Sequence, residues 1–175
     1  GSEATHFAVL YIDNVKHSFS HLDFLLPDYV FLYPKLTYSM NSYQTAISGL
    51  DAYCQSIESY WSVNSTNESK NYAHESLKIL NSNLFDAVTK NSFTAKNKIS
   101  YAAYLAGKAI NISKTTGAHA ISYFLTSEFN IPHGHAVALT ISQWFEFNFN
   151  ANISTISDRR GLDYLNVTMK ELSKL

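Results

Sequence analysis

Apolar residues recur every three or four positions along most of the chain, and this spacing is typical of amphipathic helices. The clearest stripe is formed by Ala46, Leu50, Tyr53, Ile57 and Tyr60. The spacing predicts six helices. The first covers residues 43–62, the second follows a cap at Ser65 or Asn67, and the third runs from a cap at Ser92 or Thr94 to Ile110. The fourth begins at Gly117, and the last two cover residues 136–147 and 162–172. The chain is therefore predicted to be mostly α.

The first forty residues follow a different pattern, with short runs of β-branched and aromatic side chains. Residues 5–12 and 29–33 are predicted to be strands, and residues 13–14 a turn. Because two strands are too few for an independent sheet, we interpret residues 1–40 as two strands and a linker from the edge of another domain. Residues 41–175 are predicted to form an all-helical domain.

Charge and composition narrow the class of partner and compartment. A net charge of −1 argues against nucleic acid as a partner, because phosphate binding needs clustered Lys and Arg. No apolar run approaches the ~20 residues of a membrane span, and no leader-like segment opens the chain. Cys54 is the single cysteine and suits a reducing compartment. We therefore expect a cytoplasmic protein with neither nucleic-acid nor membrane partners.

Two histidines close to glycines, His119 and His133, are the main candidates for chemistry. Asp51, on the first long helix, adds a carboxylate, and one hard oxygen with two imidazole nitrogens suits a divalent metal. Gln55 shares the helix face of Asp51, although its neutral amide oxygen is a poor ligand. The residues alone also allow core or capping histidines and an Asp51 stabilised by the helix dipole.

Several motifs in order resemble the group III, iron-containing alcohol dehydrogenases, whose architecture is shared with dehydroquinate synthase. They are Thr45-Ala46-Ile47-Ser48-Gly49-Leu50-Asp51-Ala52, Ser56-Ile57-Glu58-Ser59-Tyr60-Trp61-Ser62, Ala103-Tyr104-Leu105-Ala106-Gly107 and Ile131-Pro132-His133-Gly134. The resemblance implies the helical, metal-binding C-terminal domain of a two-domain enzyme. A short β hairpin would be left from the N-terminal α/β nucleotide-binding domain, and the chain would be a fragment.

The resemblance also implies a ligand set for Fe²⁺ or Zn²⁺. Asp51, His119 and His133 match three of the four metal ligands of the family. Gln55 stands where the fourth ligand, a histidine, is usual. This departure leaves open whether the amide of Gln55 completes the set.

Further site residues follow from the same resemblance. Tyr123 stands where many members have a second active-site histidine, and Tyr123 or His135 would supply or relay the proton. Ser2, Thr5 and Lys16 stand at positions where a loop and the following strand of family members approach the dinucleotide, which is NAD(H) or NADP(H).

The implied activity is hydride transfer between a nicotinamide cofactor and a small alcohol or aldehyde, in a full-length homodimer. The branch with phosphonoacetaldehyde reductases is the most similar, and Lys16, Arg159 and Arg160 are candidate cations for a phosphonate. Two alternatives remain: a catalytically degenerate helical domain with an assembly role, and a lyase of the dehydroquinate synthase type. Asp51 argues against the lyase, because that enzyme uses a glutamate among its ligands.

Overall fold

The computed structural model describes residues 1–13 and 15–175, with the side chains of Tyr11, Val15 and Lys16 also left outside the description. The described strands are β1 (Phe7–Ile12) and β2 (Val15–Ser20). The described α-helices are α1 (Leu22–Leu25), α2 (Ser42–Trp61), α3 (Asn67–Thr89), α4 (Phe93–Ser113), α5 (Gly117–Phe129), α6 (His133–Ala138), α7 (Ile141–Phe149) and α8 (Leu162–Leu172). Within the described residues, none of the helices combines the length and apolarity needed to cross a membrane.

Helices α2, α3 and α4 pack on one another and form the centre of the fold. The alanine-rich face of α4 is fully buried, since Ala102, Ala106 and Ala109 each have 0% exposure. Such small side chains let α2 and α3 approach α4 closely. A second apolar cluster joins this centre to α8; its buried members are Tyr60, Trp61, Ala73, Leu77, Ala109, Leu165, Met169 and Leu172.

Side-chain caps define where the long helices begin. Ser92 accepts a hydrogen bond from the backbone of Ala95, so this predicted cap is confirmed. The cap of α3 is neither Ser65 nor Asn67 but Thr66, which forms a reciprocal capping box with Ser69. The box satisfies two backbone groups at once, and this second hydrogen bond explains why Thr66 takes the position between the two predicted residues.

The β hairpin lies elsewhere than predicted. Strands β1 and β2 pair antiparallel across the predicted turn, where Asp13 has a φ of 49°. The second strand is therefore not residues 29–33, which contain no strand in this description. Tyr29 and Phe31 are 94% and 88% exposed, so this aromatic run lies open to solvent. The prediction was wrong because residues 29–33 are apolar, whereas the partner of β1 is set by the turn that directly follows it.

The predicted helix over residues 136–147 is two helices. Helix α6 begins three residues earlier, directly after Pro132, and α7 begins at Ile141. Between them the amide of Thr140 donates to the carbonyl of Val137, in a tight turn. The break allows α6 to pack on α2 and α7 to contact α8, and it fixes the start of α6 beside the candidate site.

Candidate metal centre

Three predicted ligands from three different helices converge at one point. Asp51 comes from α2, His119 from α5 and His133 from the first position of α6. One potential ligand atom from each lies within 4.8 Å of the others. Oδ1 of Asp51 is 3.3 Å from Nε2 of His119 and 3.6 Å from Nε2 of His133. The structure therefore brings together the oxygen and the two nitrogens that the sequence nominated.

Two of these atoms lack hydrogen-bond partners although they are buried. Oδ1 of Asp51 and Nε2 of His119 are both enclosed, and their 3.3 Å approach does not have hydrogen-bond geometry. Their contact with each other is an ion pair when His119 is protonated, but neither atom has a well-formed hydrogen bond, and burying polar atoms in this way costs free energy. A divalent cation bonded to both atoms would remove that cost, so the residues present fit a metal ion.

The close packing of α6 on α2 brings His133 next to Asp51. A Cβ atom at Gly134 would lie 2.2 Å from the carbonyl oxygen of Ile47 and 3.0 Å from Cβ of Asp51. Any larger residue would push the helices apart, so glycine is required here. The Nδ1 atom of His133 is 3.2 Å from Oγ of Ser122, which leaves its Nε2 atom on the side of Asp51.

Glu58 orients His119 from behind. One carboxylate oxygen, Oε2, contacts Nδ1 of His119, and Glu58 itself has 0% exposure. The other oxygen, Oε1, accepts hydrogen bonds from the amide and hydroxyl of Thr116 at 3.0 and 2.7 Å and from the amide of Ala118 at 3.0 Å. Such a carboxylate behind a metal-ligating histidine fixes the ring and its tautomer.

Glu58 is not among the predicted site residues, although the sequence contains a signal for it. Glu58 follows Asp51 by seven residues on a predicted helix, which is two turns and therefore the same face. A carboxylate on the face of a candidate ligand is a signal, because acidic side chains are almost never fully buried unless they are paired. The partner histidine, however, is 61 residues away in sequence, and only the fold reveals the pairing.

The electrostatics of the pair follow from burial and charge. Burial alone lowers the pKa of His119, but the carboxylates of Asp51 and Glu58 outweigh it and raise that pKa to about 9. Burial likewise acts to raise the pKa of Glu58, but hydrogen bonds from His119 and Thr116 and the charge of His119 hold it below its usual value. In the protein without metal, His119 is therefore an imidazolium near neutral pH.

This shift predicts a pH-dependent stability for protein freed of metal by a chelator. The pKa of His119 is 6.5 when unfolded and about 9 when folded, so its stabilisation is complete below pH 6.5 and is lost as pH rises through 9. We expect the free energy of unfolding to fall by up to about 3 kcal/mol across that window. Urea denaturation followed by tryptophan fluorescence measures it.

The exposed His74 on α3 provides the control for this series. Its replacement by alanine should leave the pH dependence unchanged, whereas bound Zn²⁺, which needs a neutral imidazole, should remove most of it. A free energy of unfolding that stays constant between pH 6.5 and 9 in the metal-free protein would contradict the assigned charge state.

Gln55 is held against Asp51. Its side-chain amide nitrogen donates a 2.9 Å hydrogen bond to Oδ2 of Asp51, the oxygen not directed at the histidines. Its amide oxygen is buried without a hydrogen-bond partner and lies beside Gly1, where a Cβ atom would be 3.2 Å away. Gln55 thus supports the carboxylate, and its role as a fourth ligand stays a prediction.

A cleft of about 860 Å³ opens onto the three candidate ligands. Ser2, Thr5 and Tyr123 line it, and the ring of Tyr123 stacks with that of His133 at a centroid distance of 6.2 Å. His135 is not among the described lining residues; its Nδ1 atom lies 3.2 Å from the hydroxyl of Tyr43. The side chain of Lys16 lies outside the described part of the chain.

Comparison with known proteins decides the family of this fold and site. The C-terminal part of the Fe-containing alcohol dehydrogenase family matches residues 45–171. The chain belongs to the iron-containing alcohol dehydrogenase family. It is 34% identical, over 81% of its length, to long-chain-alcohol dehydrogenase 1 of Geobacillus thermodenitrificans, of which it covers 36%. It is 30% identical, over 99% of its length, to phosphonoacetaldehyde reductase of Streptomyces viridochromogenes, of which it covers 44%.

Solved structures of this family share the fold. An iron-containing alcohol dehydrogenase of Thermotoga maritima has a TM-score of 0.80 and 30% identity, with coverage of 98% of this chain and 47% of that one. A sulfoacetaldehyde reductase of Bifidobacterium kashiwanohense, solved in complex with NAD⁺, has a TM-score of 0.81 and 29% identity, with coverage of 98% and 48%. The chain thus spans about half the length of its relatives or less, and the fold prediction is confirmed.

Proposed function

We propose that this chain forms the metal- and substrate-binding part of an NAD(P)-dependent alcohol dehydrogenase or aldehyde reductase. The observation that carries the proposal is the convergence of Asp51, His119 and His133 on one point with two buried atoms left without hydrogen bonds. This convergence favours a working site over a degenerate helical domain with an assembly role, because a bound cation would satisfy both buried atoms at once.

The roles of the site residues follow from their positions. Asp51, His119 and His133 would hold Fe²⁺ or Zn²⁺, with Gln55 bracing Asp51 and offering its amide oxygen as the candidate fourth ligand. When bound, such a metal polarises a carbonyl group as a Lewis acid. Tyr123, stacked on His133, is the candidate to donate the proton that the carbonyl oxygen gains as the carbonyl carbon receives a hydride from the nicotinamide.

The N-terminal segment would complete the cofactor site. We propose that residues 1–40 belong to the edge of a nucleotide-binding domain and residues 41–175 to the helical domain. Ser2 and Thr5 line the same cleft as the ligands, which supports a place for them beside NAD(H) or NADP(H). The assignment of Lys16 to the cofactor, and of His135 to proton relay, rests on the resemblance of the sequence alone.

Substrate class, assembly and compartment belong to the same proposal. Relatives that act on phosphonoacetaldehyde and sulfoacetaldehyde support a small aldehyde with an anionic group as substrate. We propose a homodimer in the cytoplasm, with small molecules rather than nucleic acid or membranes as partners. The net charge of −1 and the single, buried and unpaired Cys54 are consistent with these assignments.

Cofactor oxidation by the complete polypeptide containing these residues tests the activity. We expect oxidation of NADH or NADPH with phosphonoacetaldehyde, sulfoacetaldehyde or a neutral aldehyde such as butanal. Activity should disappear on chelation and return with Fe²⁺ or Zn²⁺. Turnover that is unaffected by chelation, or none with any aldehyde and either cofactor in metal-loaded protein, would refute the proposal.

A further inference from the structure

A single lysine lines the cleft that opens onto the three metal ligands. Lys114 is exposed and is the one Lys or Arg among the lining residues that the structure describes. Hydroxyl groups make up most of the rest of the polar lining, among them those of Ser2, Ser18, Ser20 and Thr115. A cleft that combines one cation with several hydroxyl groups is a suitable environment for an oxyanion such as a phosphonate or sulfonate.

The backbone of Lys114 has an unusual conformation. Its φ of 61° and ψ of 171° fall in a region that is almost confined to glycine. Glycine would fit this position without strain, whereas lysine contributes a long side chain with a positive charge. Strain of this kind is found preferentially at binding and catalytic sites, and here it occurs at the wall of the candidate active site.

A buried polar network holds this strained backbone in place. The amide of Lys114 donates to the carbonyl of Ile110 at 2.8 Å, and its carbonyl accepts from Oγ of Ser113 at 3.1 Å. The carbonyl of Ser113 accepts in turn from Oγ of Ser62 at 2.6 Å. Ser62 and Ser113 are 2% and 0% exposed, so the core fixes the position from which the lysine side chain extends.

The same loop is tied to a metal ligand. Thr116, two residues after Lys114, donates its amide and hydroxyl to Oε1 of Glu58, whose other oxygen contacts His119. Glu58 therefore holds both His119 and the chain two residues after Lys114. Because Lys114 and the three candidate ligands line the same cleft, a molecule bound there can present a carbonyl to the ligands and an anionic group to the lysine.

Two of the cations that the sequence nominated, Arg159 and Arg160, are paired elsewhere or are absent from the described lining of the cleft. The guanidinium of Arg160 donates to both carboxylate oxygens of Asp158 and to the carbonyls of Ser62 and Ser65. Arg159 is not among the described lining residues. By contrast, the side chain of Lys114 has no ion pair within the described part of the chain.

We propose that Lys114 binds the anionic group of the aldehyde substrate and thereby selects for phosphonate- or sulfonate-bearing aldehydes. The inference rests on the proposed function, since it assumes that an aldehyde occupies this cleft. A phosphate of the dinucleotide has the same chemistry and is the competing occupant. The experiment must therefore separate recognition of the substrate from recognition of the cofactor.

Steady-state kinetics of the complete polypeptide separate these two sources. We expect Lys114→Met, which keeps the length of the side chain, to lower the ratio of kcat/KM for phosphonoacetaldehyde over butanal by about tenfold or more. Lys114→Arg should restore most of that ratio. Lys98→Met, at an exposed position on α4, is the matched control and should leave the ratio unchanged.

Two kinetic results would overturn the inference. One is an unchanged ratio in Lys114→Met protein whose circular dichroism and Tm show that it is folded. The other is a raised KM for NADH or NADPH with no change in the ratio, which would assign the lysine to the dinucleotide.

Equilibrium binding decides the question even if no aldehyde is turned over. We expect calorimetry to detect binding of 2-hydroxyethylphosphonate, the alcohol counterpart of phosphonoacetaldehyde, and an affinity about tenfold lower in Lys114→Met. Increasing salt should weaken binding to the wild type. No binding to the wild type, or equal binding to the two proteins, would refute a role for Lys114 even in a protein whose metal site is intact.

Discussion

Replacing Asp51 by asparagine is expected to weaken the binding of Zn²⁺ or Fe²⁺ roughly a hundredfold, because one ligand contributes about this factor to the affinity of a typical metal site. Asp51 supplies the only negative charge among the three converging ligands, and its Oδ1 atom lies 3.3 and 3.6 Å from the two histidine nitrogens. Asparagine has the same shape, and its oxygen can still accept the hydrogen bond from Gln55. The change therefore removes charge while preserving packing.

Competition with a chromophoric chelator measures this change in affinity. Asp163→Asn is the matched control, because Asp163 is exposed in the first turn of α8. We expect that control to bind metal like the wild type. If Asp51→Asn also retained the affinity of the wild type, the carboxylate would not be a ligand and the site would need another anionic partner.

Replacing Glu58 by alanine is expected to lower the free energy of unfolding by about 3–5 kcal/mol, the cost of breaking a buried ion pair. The carboxylate is fully buried and accepts from Thr116 and Ala118 while it contacts His119. Its removal leaves these donors without acceptors in the core. Urea denaturation measures the loss, and Glu75→Ala, at an exposed position on α3, should stay within about 0.5 kcal/mol of the wild type.

Glutamine at position 58 separates structural support from orientation of the ligand. The amide oxygen can still accept from Thr116 and Ala118, so most of the stability should remain. Its NH₂ group would then face Nδ1 of His119 and move the ring proton to Nε2, the atom directed at Asp51. We expect metal affinity to fall about 10- to 100-fold. If Glu58→Ala lowered the free energy of unfolding by less than about 1 kcal/mol, Glu58 would not support this site.

The sequence predicted best where a long stripe of apolar residues decides the structure. Helices α2, α4 and α8 lie close to the predicted ranges because each buries one face against the same core. The hairpin was located incorrectly because the segment that forms β2 has few apolar residues and the described side chains of residues 17–20 are exposed, so alternation carries little information there. Its partner is set by the turn at Asp13, which is a local backbone feature and not a pattern of apolar residues.

The candidate site was predicted in part. Asp51, His119 and His133 were nominated, and the fold brings them together. Glu58 and Lys114 were not nominated, for two different physical reasons. The function of Glu58 depends on a contact between α2 and the start of α5, which periodicity does not reveal. The importance of Lys114 comes from its backbone conformation and its place on the cleft wall, and a lone lysine in a sequence reads as a solvated residue.

Metal analysis of the protein purified without added ions tests the central claim most directly. We expect one equivalent of Fe²⁺ or Zn²⁺ for each chain. This metal should be lost in His133→Ala, a variant that should spare the core because the His133 side chain is 39% exposed. Elemental analysis together with circular dichroism provides both readouts. No bound metal at any loading, or a stoichiometric metal that His133→Ala retains in full, would contradict the account.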